Sequence, residues 1–297
     1  MVEDKDAMDT IINLFKNQDL YIRYFSAQIF NVLITNGKLE LVQLAVLSKP
    51  TGINLILDLL NDSRDSVRNG LPEPFKKDSF RMQNTNFIAN KKEGILLLIE
   101  LSKDNHEIQK LTVFSNTFER IFEVIEEEGG GEGSEVVHNC LTLMYNLIEN
   151  NLSTQNMFRE TNCVQRLRPL LELEKSDLWF LTDNKKTVLV LTLKLVSLLV
   201  TGNNPSNKAN QDMIAKQFFE QILVLSLGKV NEPRVRSQAL RTLGNLFRGN
   251  EENRVTFAKS HLQIDKATQP ALIRLTTVAL NSTDFVEKLA AVHAFQV

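Results

Sequence analysis

Apolar residues return at three- and four-residue steps in one segment after another, and these segments come in pairs. Such a period belongs to helices with one buried face, and its recurrence points to stacked helical units rather than a sheet. One class has a small or turn residue followed by a compact apolar helix, at 51–60, 116–125, 162–171 and 218–225. A partner class covers 20–34, 93–102, 136–149, 187–200 and 234–248. The steps lie near the period of about 40–47 residues of HEAT and armadillo units. Asp62-Ser63, Asp104-Asn105, Asn150-Asn151 and Asn203-Asn204-Pro205 supply turn and capping chemistry between the runs. The reading is an all-α, armadillo/HEAT-like, right-handed α-solenoid forming one domain over 1–297. In such arrays a helix pair cannot bury its apolar face alone, so neighbours share a continuous core and leave a groove lined by one helix per repeat.

One segment breaks the pattern. Residues 70–92 hold Pro72 and Pro74 with scattered Lys and Asn and no helical period, and joining Asn69 to Glu93 would restore one amphipathic helix. The segment is expected to be an inserted loop or disordered, a lineage-specific loop or a retained intron.

Composition supports helices and narrows the partners. Hydrophobic residues make up 43% of 297, enough for a sizeable core, and glycine (12) and proline (7) are sparse. Lys and Arg total 34 against 36 Asp and Glu, so a net charge of −2 provides no global field to recruit nucleic acid or anionic membrane. Cys140 and Cys163 are too few for a disulfide framework. The start, MVEDKDAMDT, lacks the basic and apolar regions of a signal peptide, and the apolar run 188–200 is interrupted by Thr192, Lys194 and Ser197.

No motif points to catalysis, a cofactor or a metal. The glycine cluster 129–133 lacks the Gly-Lys-Ser/Thr ending of a phosphate loop and reads as an inter-repeat loop. His138 and Cys140 fall on different faces of a helix, and His106, His261 and His293 stand in separate repeats. Trp179 reads as a loop anchor. Three features bear on binding, each beside a plainer reading. The acidic run Glu126 to Glu128 suits a basic partner or a solvated helix end. Arg234, Arg236, Arg241 and Arg248 make a basic helix, with Arg241 and Arg248 on one face, suited to an acidic peptide or phosphate or to plain solvent exposure. Asn146 and Asn245, in Tyr145-Asn146-Leu147 and Gly244-Asn245-Leu246, suit either the backbone of a groove-bound peptide or an inter-repeat bond.

The stretch from Glu107 to Phe122, EIQKLTVFSNTFERIF, followed by Glu127-Glu128-Gly129, resembles the signature of the general vesicular transport factor family. Leu59-Leu60-Asn61-Asp62-Ser63-Arg64, Gly94-Ile95-Leu96-Leu97-Leu98 and Asn146-Leu147-Ile148-Glu149-Asn150-Asn151 match in the same order, as does Gln155-Asn156-Met157-Phe158-Arg159-Glu160. The resemblance implies the middle of an armadillo-like globular head, from a tether that links vesicles to Golgi membranes. It implies a non-enzymatic scaffold in ER-to-Golgi and intra-Golgi transport, cytoplasmic and peripheral on Golgi and vesicle membranes. The implied partners are a Rab-family GTPase, SNAREs and Golgi tethering proteins, and the full-length form dimerises through a coiled coil that this sequence does not contain. The chain therefore reads as a fragment of a larger head. The competing reading is a generic armadillo-type peptide-binding adaptor. The expected partner surface comprises Gln109, Asn116, Phe118, Glu119 and Arg120 of the signature with Asn146, Asn245 and Arg248.

Overall fold

The structure, a computed structural model, describes residues 2–49, 51–60, 79–174, 180–202, 206–230, 232–264 and 267–296. They are almost entirely helical and divide into two compact units, Met1–Glu128 with Thr142–Thr154, and Gly129–Leu141 with Gln155–Val297.

The first unit contains α1 (Val2–Leu14), α2 (Leu20–Leu33), α3 (Leu39–Leu47), α4 (Gly52–Leu57), α5 (Ser79–Ser102), α6 (His106–Phe114) and α7 (Thr117–Glu127), with the end of α8 (Glu135–Ile148). Two of its helices, α2 and α6, begin where short polar side chains replace missing backbone partners: Asp19 accepts from Tyr21 N at 2.8 Å and Asn105 from Ile108 N at 3.1 Å. Helix α7 follows Asn116, which takes the left-handed conformation (φ 59°) and so turns the chain sharply after α6. Along α7, Phe118, Ile121, Phe122 and Ile125 are buried at helical spacing, with Glu119, Glu123 and Glu126 on the open side. They join Phe30, Ile56, Leu57, Ile95 and Leu98 as buried apolar side chains of this unit, each contributing about 1.5–3 kcal/mol on leaving water.

Residues 20–47 have the length and mean hydropathy, 1.2, of a membrane span. Gly37, at φ 76°, breaks the run into α2 and α3, of 14 and 9 residues, each short of the ~20 needed to cross a bilayer. Tyr21, Phe25, Ile29 and Val32 lie exposed along α2.

The second unit contains the start of α8, α9 (Leu152–Glu160) from Gln155 on, α10 (Cys163–Arg166), α11 (Arg168–Leu171), α12 (Asp183–Leu199), α13 (Ser206–Leu227), α14 (Pro233–Phe247), α15 (Glu251–Lys259), β1 (His261–Ile264), β2 (Ala267–Pro270), α16 (Ala271–Asn281) and α17 (Phe285–Gln296). Helices α12, α14 and α17 lie side by side and run the same way. Thr242 donates to Leu193 O and Asn245 to Ser197 Oγ on one flank, while Arg236 meets Glu287 and Gly244 meets His293 on the other. The buried side of this layer carries Val188, Leu193, Val196, Leu240, Leu243 and Phe247.

Two expectations meet differences here. Helix α5 starts at Ser79, so residues 79–92 are helical rather than loop; this stretch continues the helix of 93–102 without the apolar period by which the sequence was read. The rest of that proposed loop, residues 70–78, lies outside the described residues, as do Trp179 and 203–205. Residues 261–264 and 267–270 form an antiparallel hairpin, pairing Leu262 with Gln269, that the helical reading did not contain. Its strands are four residues long, below the length at which alternation is readable.

Gly244 sets the close approach of α14 and α17: a Cβ there would stand 2.8 Å from His293 Nδ1 and 3.2 Å from the Ala294 Cα. Replacing a helical glycine ordinarily favours the helix by up to about 1 kcal/mol. The backbone neighbour cannot move aside as a side chain can, so overpacking wins. Gly244→Val is expected to destabilise the protein by about 2 kcal/mol in urea unfolding; equal or greater stability would show that the two helices are not in this contact.

Candidate partner-binding surfaces and an inter-repeat amide ladder

The eight residues expected at a partner surface separate into groups turned inward and groups turned outward. In the first unit Gln109 is buried, and its whole amide is engaged. Its Nε2 donates to Ser102 O at 3.2 Å and Asn146 O at 2.8 Å, and its Oε1 accepts from Asn151 Nδ2 at 2.9 Å. His106 Nδ1 stands 3.2 Å from the same Oε1. Asn146 Nδ2 in turn donates to Ile99 O at 3.3 Å. Two of the expected contacts, Gln109 and Asn146, thus meet each other and tie α6 and α8 to the end of α5.

The same construction recurs in the second unit. Gln211 Nε2 donates to Asn245 O at 2.8 Å and Arg248 O at 2.9 Å, and Gln211 Oε1 accepts from Asn250 Nδ2 at 3.3 Å. Asn250 also caps α15 through Asn253 N at 3.2 Å, as Asn151 caps α9 through Thr154 N at 3.4 Å. Each ladder satisfies carbonyls at a helix end that would otherwise be buried without donors. Gln211 and Asn250 were not singled out from sequence, and Asn151 only as turn and capping chemistry. The signal was present as Asn-x-x-x-Gln at 105/109, 151/155 and 207/211.

Phe118 is core, 4% exposed. Asn116 is exposed and holds the left-handed turn. Glu119 is exposed, and Arg120 reaches Asp58 Oδ1 at 3.1 Å. These positions of α7 form the outward group of the first unit. The acidic run beside them is partly occupied from within: Glu127 pairs with Lys91, itself buried, and Glu128 Oε1 lies 3.8 Å from the same ammonium.

In the second unit Asn245 Nδ2 donates to Ser197 Oγ at 2.8 Å and Thr201 Oγ1 at 3.0 Å. Exposed Arg248 faces His293, with 3.1 Å between NH2 and Nε2. Burial first, then the charges of Arg248 and Arg241, hold the His293 pKa below its ordinary value. A neutral ring accepts from the guanidinium at this distance, and an imidazolium would repel it.

Among the described residues no group of three or more His, Cys, Asp or Glu could hold a metal ion. The arrangement offers outward polar and charged side chains on a rigid helical support, suited to non-covalent docking.

Removing the Gln109 amide strands two carbonyls and the Asn151 amide away from water. Gln109→Ala should therefore cost about 2–4 kcal/mol, whereas Glu119→Lys, on the open side of α7, should stay within about 0.5 kcal/mol. Denaturant unfolding of the two variants separates structural from surface roles; similar losses would contradict the division.

No family model matches the chain. It is 27% identical over 299 residues to general vesicular transport factor p115 of Bos taurus, covering 99% of this chain and 28% of that protein. It is 31% identical over 302 residues to Golgin candidate 6 of Arabidopsis thaliana, covering 99% of this chain and 30% of that one. A crystal structure of Uso1 superposes with a TM-score of 0.84 at 25% identity, over 98% of this chain and 43% of that chain. The chain thus spans less than a third of the length of these curated relatives. In fold it is an all-α solenoid like the Uso1 structure, and in sequence, along nearly all its residues, it is a relative of the general vesicular transport factor family.

Proposed function

We propose that this chain is a non-enzymatic vesicle-tethering scaffold acting in ER-to-Golgi and intra-Golgi transport. The observation that carries the reading is similarity over 99% of the chain to a protein named as a general vesicular transport factor. The fold is compatible with the role, since stacked helices present fixed surfaces without a cleft built around reacting groups. On this reading the chain works at the cytoplasmic side of Golgi and vesicle membranes, held there through proteins. Its partners are a Rab-family GTPase, SNAREs and Golgi tethering proteins, and longer forms pair as homodimers. The outward residues Asn116, Glu119 and Arg120 of one unit, and Asn245 and Arg248 of the other, are the proposed contacts. Residues 70–92 are proposed as an insertion within the array.

The test is flotation with salt-washed Golgi membranes, using the purified chain and a Glu119→Lys/Arg120→Glu variant. The partly exposed Arg120–Asp58 pair stabilises by at most about 1 kcal/mol, so the variant should remain folded, as a thermal melt would verify. The wild-type chain is expected to float with the membranes, and to stop doing so after their surface proteins are digested. The variant should float about tenfold less. Folded wild-type chain that stays in the load, or floats equally with protein-free liposomes, would overturn the reading.

A further inference from the structure

Helix α14 carries a polar stripe that the internal bonding explains only in part. Arg234, Gln238, Arg241, Asn245 and Arg248 follow at four- and three-residue steps and so share one side of the helix. None of the five is buried, whereas Val235, Ala239, Leu240, Leu243 and Leu246 between them are. The helix contains no Asp or Glu. Arg234, Arg241 and Arg248 have no carboxylate partner among the described residues, and Arg248 faces an imidazole instead.

The neighbouring helices do not supply the missing charge. Glu287, the one carboxylate of α17, is buried, lies 3.3 Å from Arg236 NH1, and accepts from Ser282 Oγ at 2.7 Å. Arg236 is thereby a structural cation, off the stripe. The one carboxylate of α12, Asp183, lies in its first turn and pairs with Lys186. Beside the stripe α12 presents exposed Lys194, and the hydroxyls of Ser197 and Thr201 that fix the Asn245 amide. On the other flank His293 is seated over Gly244, between the turns bearing Arg241 and Arg248. In a chain of net charge −2 the charges of the stripe and of Lys194 beside it are all positive, and Glu232, the N-cap residue of α14, pairs with Lys186 at 3.4 Å.

We infer that this face binds an acidic, extended segment of a protein partner, its carboxylates meeting Arg234, Arg241 and Arg248 and its backbone the amide of Gln238 and the Oδ1 of Asn245, whose two N–H groups are held by Ser197 and Thr201. Arginine recognises carboxylates through paired N–H donors, and a side-chain amide can donate to and accept from a peptide backbone. The stripe is ~21 Å long at 1.5 Å per residue, which an extended peptide of about six residues spans. Amides placed between the arginines favour a peptide over a phospholipid surface, which offers no backbone to pair. The depressed His293 pKa agrees, since both arginines raise the cost of another cation there. The inference rests on the partner-binding reading of Asn245 and Arg248, but not on vesicle tethering.

The experiment is fluorescence anisotropy of a labelled ten-residue peptide of alternating Glu and Ser, titrated with the whole chain at about 50 mM salt. Binding is expected to saturate, weaken as salt rises, and fall by about tenfold or more in Arg241→Glu/Arg248→Glu. Arg241→Gln/Arg248→Gln, which introduces no new charge, should give an intermediate loss, and Glu119→Lys/Arg120→Glu should bind as wild type. A peptide with Lys for Glu should not bind. The inference fails if folded chain ignores the acidic peptide at low salt, or if the stripe variants bind it unchanged. It also fails if phosphatidylserine vesicles, but not the peptide, are bound through Arg241 and Arg248. Loss of flotation with retained peptide binding would sink the tethering proposal alone.

Discussion

The stacking of helices in this chain depends on hydrogen bonds that close buried helix ends. An α-helix finishes with carbonyls that lack donors, and in a stacked array several such ends are walled off from water. Gln109 and Gln211 answer the problem in similar ways, each sending one amide group to two carbonyls, Gln109 at the ends of α5 and α8 and Gln211 at the end of α14. Asn151 and Asn250 lock these glutamines from the other side while capping the helix that follows. A leucine of similar size at either glutamine would leave the carbonyls stranded, at a cost comparable to a lost buried side chain. The apolar period makes helices, and the amide ladder fixes which end meets which.

A second constraint, the direction of the chain between helices, is met by residues that tolerate positive φ. Asp104, Asn116, Asn150 and Asn162 take the left-handed conformation, so α6 and α9 are each bounded by such residues at both ends. The corresponding position in the next repeat is Phe218, which does not adopt it: its φ of −140° kinks α13 without ending it, giving a run of 22 residues. Asparagine turns the chain where a bulky aromatic only bends it.

Much of this was readable from the amino-acid sequence where burial imposes a period. The expected segments 136–149 and 234–248 match α8 and α14 within a residue, because one face of each is apolar at every turn. The helix over 79–92 was not readable, since that stretch has no such face. The hairpin at 261–270 was too short to show alternation. At the candidate surface, Asn146 and Asn245 were read as helix-borne amides suited to a groove-bound peptide or an inter-repeat bond and Gln109 as part of the expected partner surface, but residue type alone does not say whether an amide faces a carbonyl within the fold or a ligand outside it. For Asn146 and Asn245 the readable sign was the capping asparagine that follows each at the same distance, Asn151 and Asn250.

Helix α14 shows how one element can hold the fold together and remain available outside it. Turned one way, Arg236 is committed to buried Glu287, and Thr242 to Leu193 O, which joins α14 to both neighbours. Turned the other, Arg241 and Arg248 are left without carboxylates among the described residues, and His293 lies between them with its pKa lowered by burial and by both charges. A buried cation must be paired within the fold, or its desolvation goes uncompensated. An exposed one can stay unpaired because water solvates it at little cost until a partner displaces that water. The burial of Glu287 and the absence of any other acid from α14 and α17 therefore separate structural arginines from recognition arginines, on a helix where composition alone treats all four alike.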